Sequence, residues 1–150
     1  MDPGCAVTGA LNEKFTLKSH MDSVRGAHIL PGRDVLATVS EDCMVKLWSL
    51  DGIEGRYTKS NGNIEPYLTL RGHTGPLLAV AGLVEDRKTA KNKNLLFTAG
   101  DEGCIRVWDV PSISEVHQYG DTMDGKNYCI GVWSDGSNRE AIWDLKYHPF

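Results

Sequence analysis

Two stretches of the sequence, residues 35–50 (VLATVSEDCMVKLWSL) and residues 95–110 (LLFTAGDEGCIRVWDV), align with each other without a gap. Each contains an alternating apolar segment, a tight polar turn and a second alternating segment that includes a tryptophan, Trp48 or Trp108. Alternation with a period of two is typical of a strand that buries one face, and two such strands around a short polar turn indicate an antiparallel hairpin. The chain therefore contains an internal repeat of β-structure.

A second matching element precedes each hairpin. Residues 17–24 (LKSHMDSV) and residues 70–77 (LRGHTGPL) carry His20 and His73 at equivalent positions, each shortly before an apolar residue that starts a strand. A third copy begins late in the chain, where Asn138 takes the place of the histidine.

The repeat pattern predicts the organisation of the chain. We expect a flexible N-terminal segment at 1–13 and a repeat region at 14–150, with repeats at about 14–50 and 65–110 and the start of another at 128–150. The predicted strands lie at about 14–18, 24–29, 35–39, 44–50, 66–70, 77–82, 95–99, 104–110, 128–133 and 141–147. The connections 51–64, 84–94 and 111–126 are rich in turn formers and charges, which predicts surface loops, and no segment has a helical period over a useful length.

Specific residues connect this repeat to a known family. The pair Gly72-His73 and the pair Trp108-Asp109 bracket three predicted strands, which is the signature of WD repeats, and His20 with Trp48 is a less complete copy. The chain is thus identified as a member of the WD-repeat family. The resemblance implies an all-β fold of antiparallel, four-stranded β-propeller blades, incomplete here, with two blades plus the first strand of a third.

An incomplete propeller has consequences for the behaviour of the chain. Two and a fraction blades do not close a ring of about seven, and an open stack leaves apolar faces exposed. We therefore expect the sequence to be an excerpt of a longer protein, the alternative being completion by another chain, and we expect it to be marginally stable or adhesive by itself.

The sequence around the motifs resembles the propeller of the striatins, which are scaffolds that assemble protein phosphatase 2A with kinases and adaptor proteins. The likeness covers about residues 14–148, and its best segments are FTLKSHMDSVR at 15–25, TVSED at 38–42, KLW at 46–48, EPYLTLRGHTGPLL at 65–78 and AIW at 141–143. The resemblance implies a non-catalytic scaffold for signalling complexes of phosphatase, kinase and adaptor subunits. A generic WD-repeat subunit of an RNA-processing or trafficking complex shares the fold and is the alternative.

The WD-repeat resemblance also implies a hydrogen-bonded network inside each blade, made by a His, a Ser or Thr, an Asp and a Trp. By position these residues are His20, Thr38, Asp42 and Trp48 in the first copy and His73, Thr98, Glu102 and Trp108 in the second. A buried indole N–H and imidazole need partners, and a fully satisfied network fixes strand register. Glu102 departs from the family's Asp, with Asp101 beside it as an alternative acceptor. We expect a structural role for all eight residues.

Three patterns suggest an enzyme or a ligand site, and each has a simpler explanation. His20, Asp42 and Cys43 suggest a catalytic group, but the blade network already accounts for His20 and Asp42. Cys43 and Cys104 fall near matching strand positions and are expected to be small apolar fillers. Residues 120–127 (GDTMDGKN) fall one residue short of a P-loop, because a Ser or Thr must follow Lys126. No paired spacing supports zinc. We predict no catalytic, cofactor-binding or metal-binding residues, with a nucleotide-binding enzyme as the remote alternative.

Composition limits the partners and the compartment. The 150 residues include 16 Lys and Arg against 20 Asp and Glu, giving a net charge of −4, so the chain lacks the basic excess that non-specific nucleic-acid binding requires. Four dispersed cysteines without a C-x-x-C pair favour a reducing environment. The chain has no signal-peptide pattern and no long apolar run. We predict a cytoplasmic protein that is not inserted in a membrane.

The surfaces expected to bind partner proteins or peptides are the loops at about 19–23, 40–43, 71–75 and 100–103. Aromatic residues are enriched at binding hot spots, which makes Tyr67, Trp133 and Trp143 candidate anchors, although packing between strands is expected for at least two of them. The basic cluster at 87–93 is expected to be a solvated loop, with contact to an acidic partner as the alternative.

Overall fold

The computed structural model describes residues 15–30, 32, 34–51, 63–85, 93–119, 127–136 and 140–148. The predicted flexible segment 1–13 lies outside the described residues, as do Asn138, residues 120–126 of the P-loop-like segment and residues 86–92 of the basic loop.

The described residues form strands and one short helix. The strands are β1 (Thr16–Leu17), β2 (Val24–Ile29), β3 (Val35–Ser40), β4 (Val45–Ser49), β5 (Asn63–Ile64), β6 (Leu68–Leu70), β7 (Leu77–Glu85), β8 (Lys93–Gly100), β9 (Cys104–Asp109) and β10 (Cys129–Ser134), and the helix is α1 (Ile113–Tyr119). β7 continues to Glu85, and β8 starts at Lys93. Both ends of the surface loop predicted at 84–94 therefore belong to strands.

Two four-stranded antiparallel sheets make up most of the structure, in the orders β2-β3-β4-β6 and β7-β8-β9-β10. Their registers are equivalent, because Leu36 faces Trp48 in the first sheet as Leu96 faces Trp108 in the second. The repeat seen in the sequence is therefore a structural repeat, and the predicted fold of antiparallel four-stranded blades is confirmed.

The outermost strand of each sheet comes from the following copy of the sequence repeat. β6 opens the copy at 65–110 but pairs with β4, and β10 opens the next copy but pairs with β9. Each sheet therefore takes three strands from one copy and a fourth from the next.

The two sheets pack through the inner strands β2 and β7. A Cβ built on Gly26 of β2 would lie 3.1 Å from the Val80 side chain, and one built on Gly82 of β7 would lie 2.5 Å from the Leu30 side chain. Gly26 lies against Val80, and two residues further along β7, Gly82 lies against His28 near the end of β2 and Leu30 just after it. β2 and β7 therefore run in the same direction. One buried cluster crosses this contact, and it includes Leu30, Val39, Leu47, Leu77, Leu96 and Trp108.

The short helix α1 is a departure from the loop predicted at 111–126. It starts with reciprocal hydrogen bonds, since the Ser112 hydroxyl accepts from the Glu115 N–H at 3.2 Å and the Glu115 carboxylate accepts from the Ser112 N–H at 2.7 Å. This capping box needs only the Ser-x-x-Glu spacing, which the prediction of a loop overlooked. Within the described residues, no helix has the length and apolar character needed to cross a bilayer.

A pairing at the start of the repeat region is also unexpected. β1 pairs in parallel with β5, with Thr16 opposite Asn63 and Leu17 opposite Ile64. Residues 51–64 were predicted to be a surface loop, yet Ile64 is buried. Burial of this apolar side chain gives the end of the segment a reason to form a strand.

The prediction of a strand at 141–147 is wrong, because residues 140–148 lie in neither a helix nor a strand. The Ile142 N–H donates to the Gly100 carbonyl at 3.0 Å, but no described strand pairs with this segment along its length. An alternating sequence forms a strand only where a neighbouring strand accepts and donates its backbone hydrogen bonds.

Candidate functional site

The first sheet brings its four predicted network residues into contact. The His20 ring lies between Asp42 and Thr38, with Nδ1 2.8 Å from a carboxylate oxygen and Nε2 2.8 Å from the threonine hydroxyl. The Trp48 indole N–H donates to the same hydroxyl at 2.8 Å. The network therefore joins the loop before β2 to strands β3 and β4.

The second sheet repeats this arrangement. His73 contacts the Glu102 carboxylate through Nδ1 and the Thr98 hydroxyl through Nε2, the latter at 2.7 Å, and the Trp108 indole donates to Thr98 at 2.8 Å. The ring planes of His73 and Trp108 are tilted at 49° with centroids 6.0 Å apart. Glu102, and not the exposed Asp101, takes the acidic position of the network.

The acidic residues of both networks also hold the loop that precedes the sheet. Asp42 accepts from the Met21 backbone N–H at 3.0 Å, and Glu102 accepts from the Thr74 backbone N–H at 3.1 Å and from its hydroxyl at 2.7 Å. The longer Glu102 side chain also accepts from the Cys104 thiol at 3.0 Å. Cys104 was predicted to be a filler, and its position two residues after Glu102 is the signal for this contact.

Electrostatics keep both carboxyl groups ionised. Burial raises the pKa of Glu102, but hydrogen bonds from Cys104 and Thr74 and the nearby His73 outweigh it and lower the pKa to about 2. The pKa of Asp42 is lowered too, since its hydrogen bonds to Met21 and His20 outweigh burial. Burial lowers the pKa of His73 against the opposing effect of Glu102. The second network therefore consists of a carboxylate and a neutral imidazole at pH 7.

Four loops meet at one edge of the two sheets, which we term the hairpin rim: residues 19–23, 40–43, 71–75 and 100–103. The Glu41 N–H donates to the Ser23 carbonyl at 2.9 Å, and the Asp101 N–H donates to the Pro76 carbonyl at 2.9 Å, so the loops are joined in pairs. The two pairs lie on the same side, because β2 and β7 both start there and run in parallel.

The two hairpin turns within the rim have the same backbone conformation. Cys43 and Gly103 are the equivalent turn residues, each with φ of 66°, and each N–H donates at 3.2 Å to the carbonyl three residues earlier. Cys43 therefore lies in the turn just before the strand predicted at 44–50, where its φ of 66° differs from that of a strand residue. Burial, together with the charges of Asp42 and Glu102, raises the pKa of the Cys43 thiol.

The three candidate aromatic anchors differ in exposure. Tyr67 is half-buried against the core and its hydroxyl donates to the Pro111 carbonyl at 3.3 Å, which ties the first sheet to the end of the second. Trp133 on β10 is 69% exposed, and Trp143 is 76% exposed. The expectation that at least two of the three pack between strands is therefore wrong, because only Tyr67 does.

A cavity of about 330 Å³ opens beside the second network. It lies between the turn of β8 and β9 and the end of β10, and Glu102, Cys104 and Asp135 are among its lining residues. The cavity therefore lies against Glu102, the acidic residue of the second network.

Four-stranded antiparallel sheets, packed side by side and each carrying a Trp–Thr–His–acid network, define the class of protein as a β-propeller built from blade repeats. The family model for "WD domain, G-beta repeat" matches residues 11–49 and 64–109. The chain belongs to this WD-repeat family.

Several curated proteins to which the chain is similar are striatins. The chain is 30% identical to striatin-4 of Homo sapiens over 138 residues, 35% identical to striatin-3 of Homo sapiens over 136 residues and 32% identical to the striatin homolog of Dictyostelium discoideum over 137 residues. These matches cover 92%, 91% and 91% of the chain but 17%, 16% and 16% of the respective relatives. The predicted striatin likeness is confirmed, and the chain spans about a sixth of the length of these relatives.

Proposed function

We propose that this chain is a non-catalytic module that binds partner proteins or peptides at the hairpin rim. The observation that carries this proposal is the placement of four loops from two rigid sheets along one edge. The buried networks beneath them fix the loops through Asp42 and Glu102, so the rim presents a preformed surface. A preformed surface loses little conformational entropy when a partner binds.

The exposed groups of the rim suit a protein partner. Met21 is 94% exposed, and Arg71 and Asp101 are also exposed. The half-buried Glu41 forms an ion pair with the exposed Arg25, which lies next to the rim on β2. An apolar side chain among charges of both signs complements a mixed protein surface, whereas nucleic acid requires a predominantly basic one. The candidate partners are therefore proteins.

Residues that suggested catalysis have other roles in this proposal. Both ring nitrogens of His20 are engaged by Asp42 and Thr38. The raised pKa of the Cys43 thiol keeps it protonated at neutral pH, whereas a nucleophilic cysteine requires the thiolate. The rim therefore supports binding chemistry and not bond cleavage.

The likeness to striatins supports a more specific proposal about which proteins bind. The partners are phosphatase, kinase and adaptor subunits of a cytoplasmic signalling complex, and the chain contributes one part of the surface on which they assemble. The chain covers about a sixth of its relatives, so these partners belong to the proposal for the whole protein.

The test compares charge reversal at two edges of the sheets. Asp101→Lys changes an exposed aspartate on the hairpin rim, and Asp34→Lys makes the same change to an exposed aspartate at the opposite edge, just before β3. We expect Asp101→Lys to weaken binding of purified phosphatase, kinase or adaptor subunits by about tenfold in calorimetry, with Asp34→Lys unchanged.

Equal effects of the two changes would place the binding surface elsewhere. Nucleotide turnover by the unmodified chain that is lost in Lys126→Ala would instead favour the remote alternative of a nucleotide-binding enzyme.

A further inference from the structure

Three metal-ligating groups converge in the second sheet. One ligand atom from each of His73, Glu102 and Cys104 lies within 4.8 Å of the other two, and the first and last of these residues are buried. They come from a loop, a hairpin turn and the first residue of β9, and His73 is 29 residues away from Glu102, so sequence spacing does not reveal the histidine. The prediction of no metal-binding residues relied on the absence of paired ligand spacing in the sequence. It did not consider ligands that the fold brings together from separate segments.

Neighbouring residues orient two of the three ligands. Thr98 contacts Nε2 of His73 at 2.7 Å, which turns Nδ1 towards Glu102. Thr74 donates twice to Oε2 of Glu102, so Oε1 is the oxygen that faces His73 and Cys104. Polar groups that hold ligands from behind are typical of metal sites, where they fix ring tautomer and carboxylate position.

The first sheet provides an internal comparison. At the positions equivalent to Glu102 and Cys104 it has Asp42 and Met44, so it has a shorter carboxylate and a thioether in place of a thiol. The Asp42 carboxylate also accepts from the Met44 N–H at 2.9 Å, a bond that its shorter side chain can reach. The two sheets thus share the histidine and a carboxylate, whereas the thiol of Cys104 is present in the second sheet and is replaced by the thioether of Met44 in the first.

The geometry points to a Zn²⁺ site formed by His73 Nδ1, Glu102 Oε1 and Cys104 Sγ, with a fourth coordination position open to the adjacent cavity. We propose this site independently of the binding function of the hairpin rim. Nitrogen, oxygen and sulfur together suit zinc, whose bonds of about 2.0–2.3 Å require ligand atoms a few ångströms apart. The cavity of about 330 Å³ supplies the entry path and space for a water ligand.

Proton and charge changes accompany binding. The Cys104 thiol loses its proton to solvent, and the ring proton of His73 moves from Nδ1 to Nε2, where it is donated to Thr98. The thiolate and the Glu102 carboxylate then match the two charges of the ion. The Arg106 guanidinium donates to Glu102 at 3.4 Å and also contacts Cys104, so zinc binding requires that it give up both contacts; its side chain is 20% exposed.

The test titrates the full chain with Zn²⁺ against a chromophoric chelator. We expect one zinc per chain, with one proton released for each ion bound. Cys104→Met and Glu102→Asp introduce the residues that the first sheet already accommodates. Cys104→Met removes a ligand and is expected to weaken zinc binding about 100-fold, whereas Glu102→Asp draws the carboxylate back and is expected to weaken it about tenfold. Cys43→Ser removes a nearby cysteine outside the cluster and is expected to leave the affinity unchanged.

Cobalt(II) supplies a second measurement that does not depend on affinity. The unmodified chain should show a thiolate-to-cobalt charge-transfer band, which Cys104→Met should lack while its far-ultraviolet circular dichroism stays unchanged. Zinc affinity that is equal in the unmodified chain and in both cluster variants would overturn the proposal. The absence of a charge-transfer band in the cobalt-bound chain would overturn it too.

Discussion

At the residue scale, each sheet depends on one threonine hydroxyl that serves two buried partners. Thr38 and Thr98 are both buried, and each contacts a tryptophan N–H and a histidine ring nitrogen. A hydroxyl is suited to this position because it has one donor and two acceptor sites. The network therefore has no spare partner if the hydroxyl is removed.

We predict that Thr98→Val lowers the free energy of unfolding by about 2–4 kcal/mol, because two buried polar groups lose their partner and each such loss costs about 1–3 kcal/mol. Urea denaturation measures the change. Thr69→Val is the control, since this half-buried hydroxyl accepts a hydrogen bond from Lys46 at 3.3 Å and serves no second buried group among the described residues. Its loss should lower the free energy of unfolding by less than about 1 kcal/mol. Equal losses in the two variants would mean that the shared hydroxyl has no special role.

The charges of the second network predict a dependence of stability on pH. The pKa of Glu102 is lowered from 4.5 to about 2 in the folded chain, so the stability that its ionisation adds is present above pH 4.5 and is lost as the pH falls towards 2. The lowered pKa of His73 acts in the same direction, because the unfolded chain takes up a proton more readily as the pH falls through 6.5.

We therefore predict that the urea midpoint decreases continuously from pH 7 to pH 2. Glu102→Gln should be less stable at pH 7 and should show a shallower decrease below pH 4.5, since the ionisable group is gone. The exposed Glu140→Gln serves as the control. A Glu102→Gln profile parallel to that of the unmodified chain below pH 4.5 would contradict the assignment.

At the scale of the element, the two hairpin turns show how one backbone conformation accommodates different residues. Gly103 adopts the left-handed conformation without steric conflict, whereas Cys43 adopts it with a Cβ atom present. The cost to a non-glycine residue is about 1–2 kcal/mol. The β3–β4 turn is therefore strained relative to the β8–β9 turn.

We predict that Cys43→Gly stabilises the chain by about 0.5–1 kcal/mol, because relief of the strained turn exceeds the added entropy of glycine in the unfolded state. The reciprocal change, Gly103→Cys, should destabilise by a similar amount. Thermal unfolding of both variants checks the pair. If the two changes shift the midpoint in the same direction, the turns are not equivalent.

The elements also show what the sequence could predict. Hairpins were predictable because alternation and the Trp48 and Trp108 positions are local signals. The network residues were predicted from the resemblance to WD repeats, which supplies their positions in the sequence. The β1–β5 pairing and the irregular 140–148 segment were not predictable, because strand formation there depends on contacts between residues distant in sequence. The burial of Cys104 agrees with its prediction as a small filler, while the contact of its thiol with Glu102 was not predicted.

At the scale of the whole molecule, the contact between sheets depends on close approach of β2 and β7. Gly82 lies against Leu30 and His28, and a Cβ there would come within 2.5 Å of a fully buried leucine side chain. Any larger residue at this position must separate the sheets or displace the core that they share.

We predict that Gly82→Ala lowers the free energy of unfolding by about 1–3 kcal/mol through overpacking. Gly131→Ala is the matched control, because a Cβ on that strand residue would meet Val107 at an ordinary 3.9 Å. Chemical denaturation compares the two. A larger loss for Gly131→Ala would show that loss of glycine from a strand, and not packing between the sheets, determines the effect.

The outer strand β10 predicts how the isolated chain behaves in solution. Ile130, Val132 and Trp133 are all more than half exposed on this edge strand. Exposed apolar strands associate with one another, so we predict concentration-dependent self-association, reduced by Val132→Lys. Met21→Lys, which changes an exposed apolar residue in a loop, should have no effect. Sedimentation velocity that shows a monomer at all concentrations would contradict this prediction.

The offset between sequence copies and sheets bears on how such a protein can change its length during evolution. A duplicated stretch such as 65–110 brings a strand, β6, that completes the sheet before it and three strands, β7 to β9, that begin a new one. Each added copy is therefore hydrogen-bonded to the preceding sheet through its first strand. Unequal recombination can then gain or lose whole copies while every internal sheet keeps four strands.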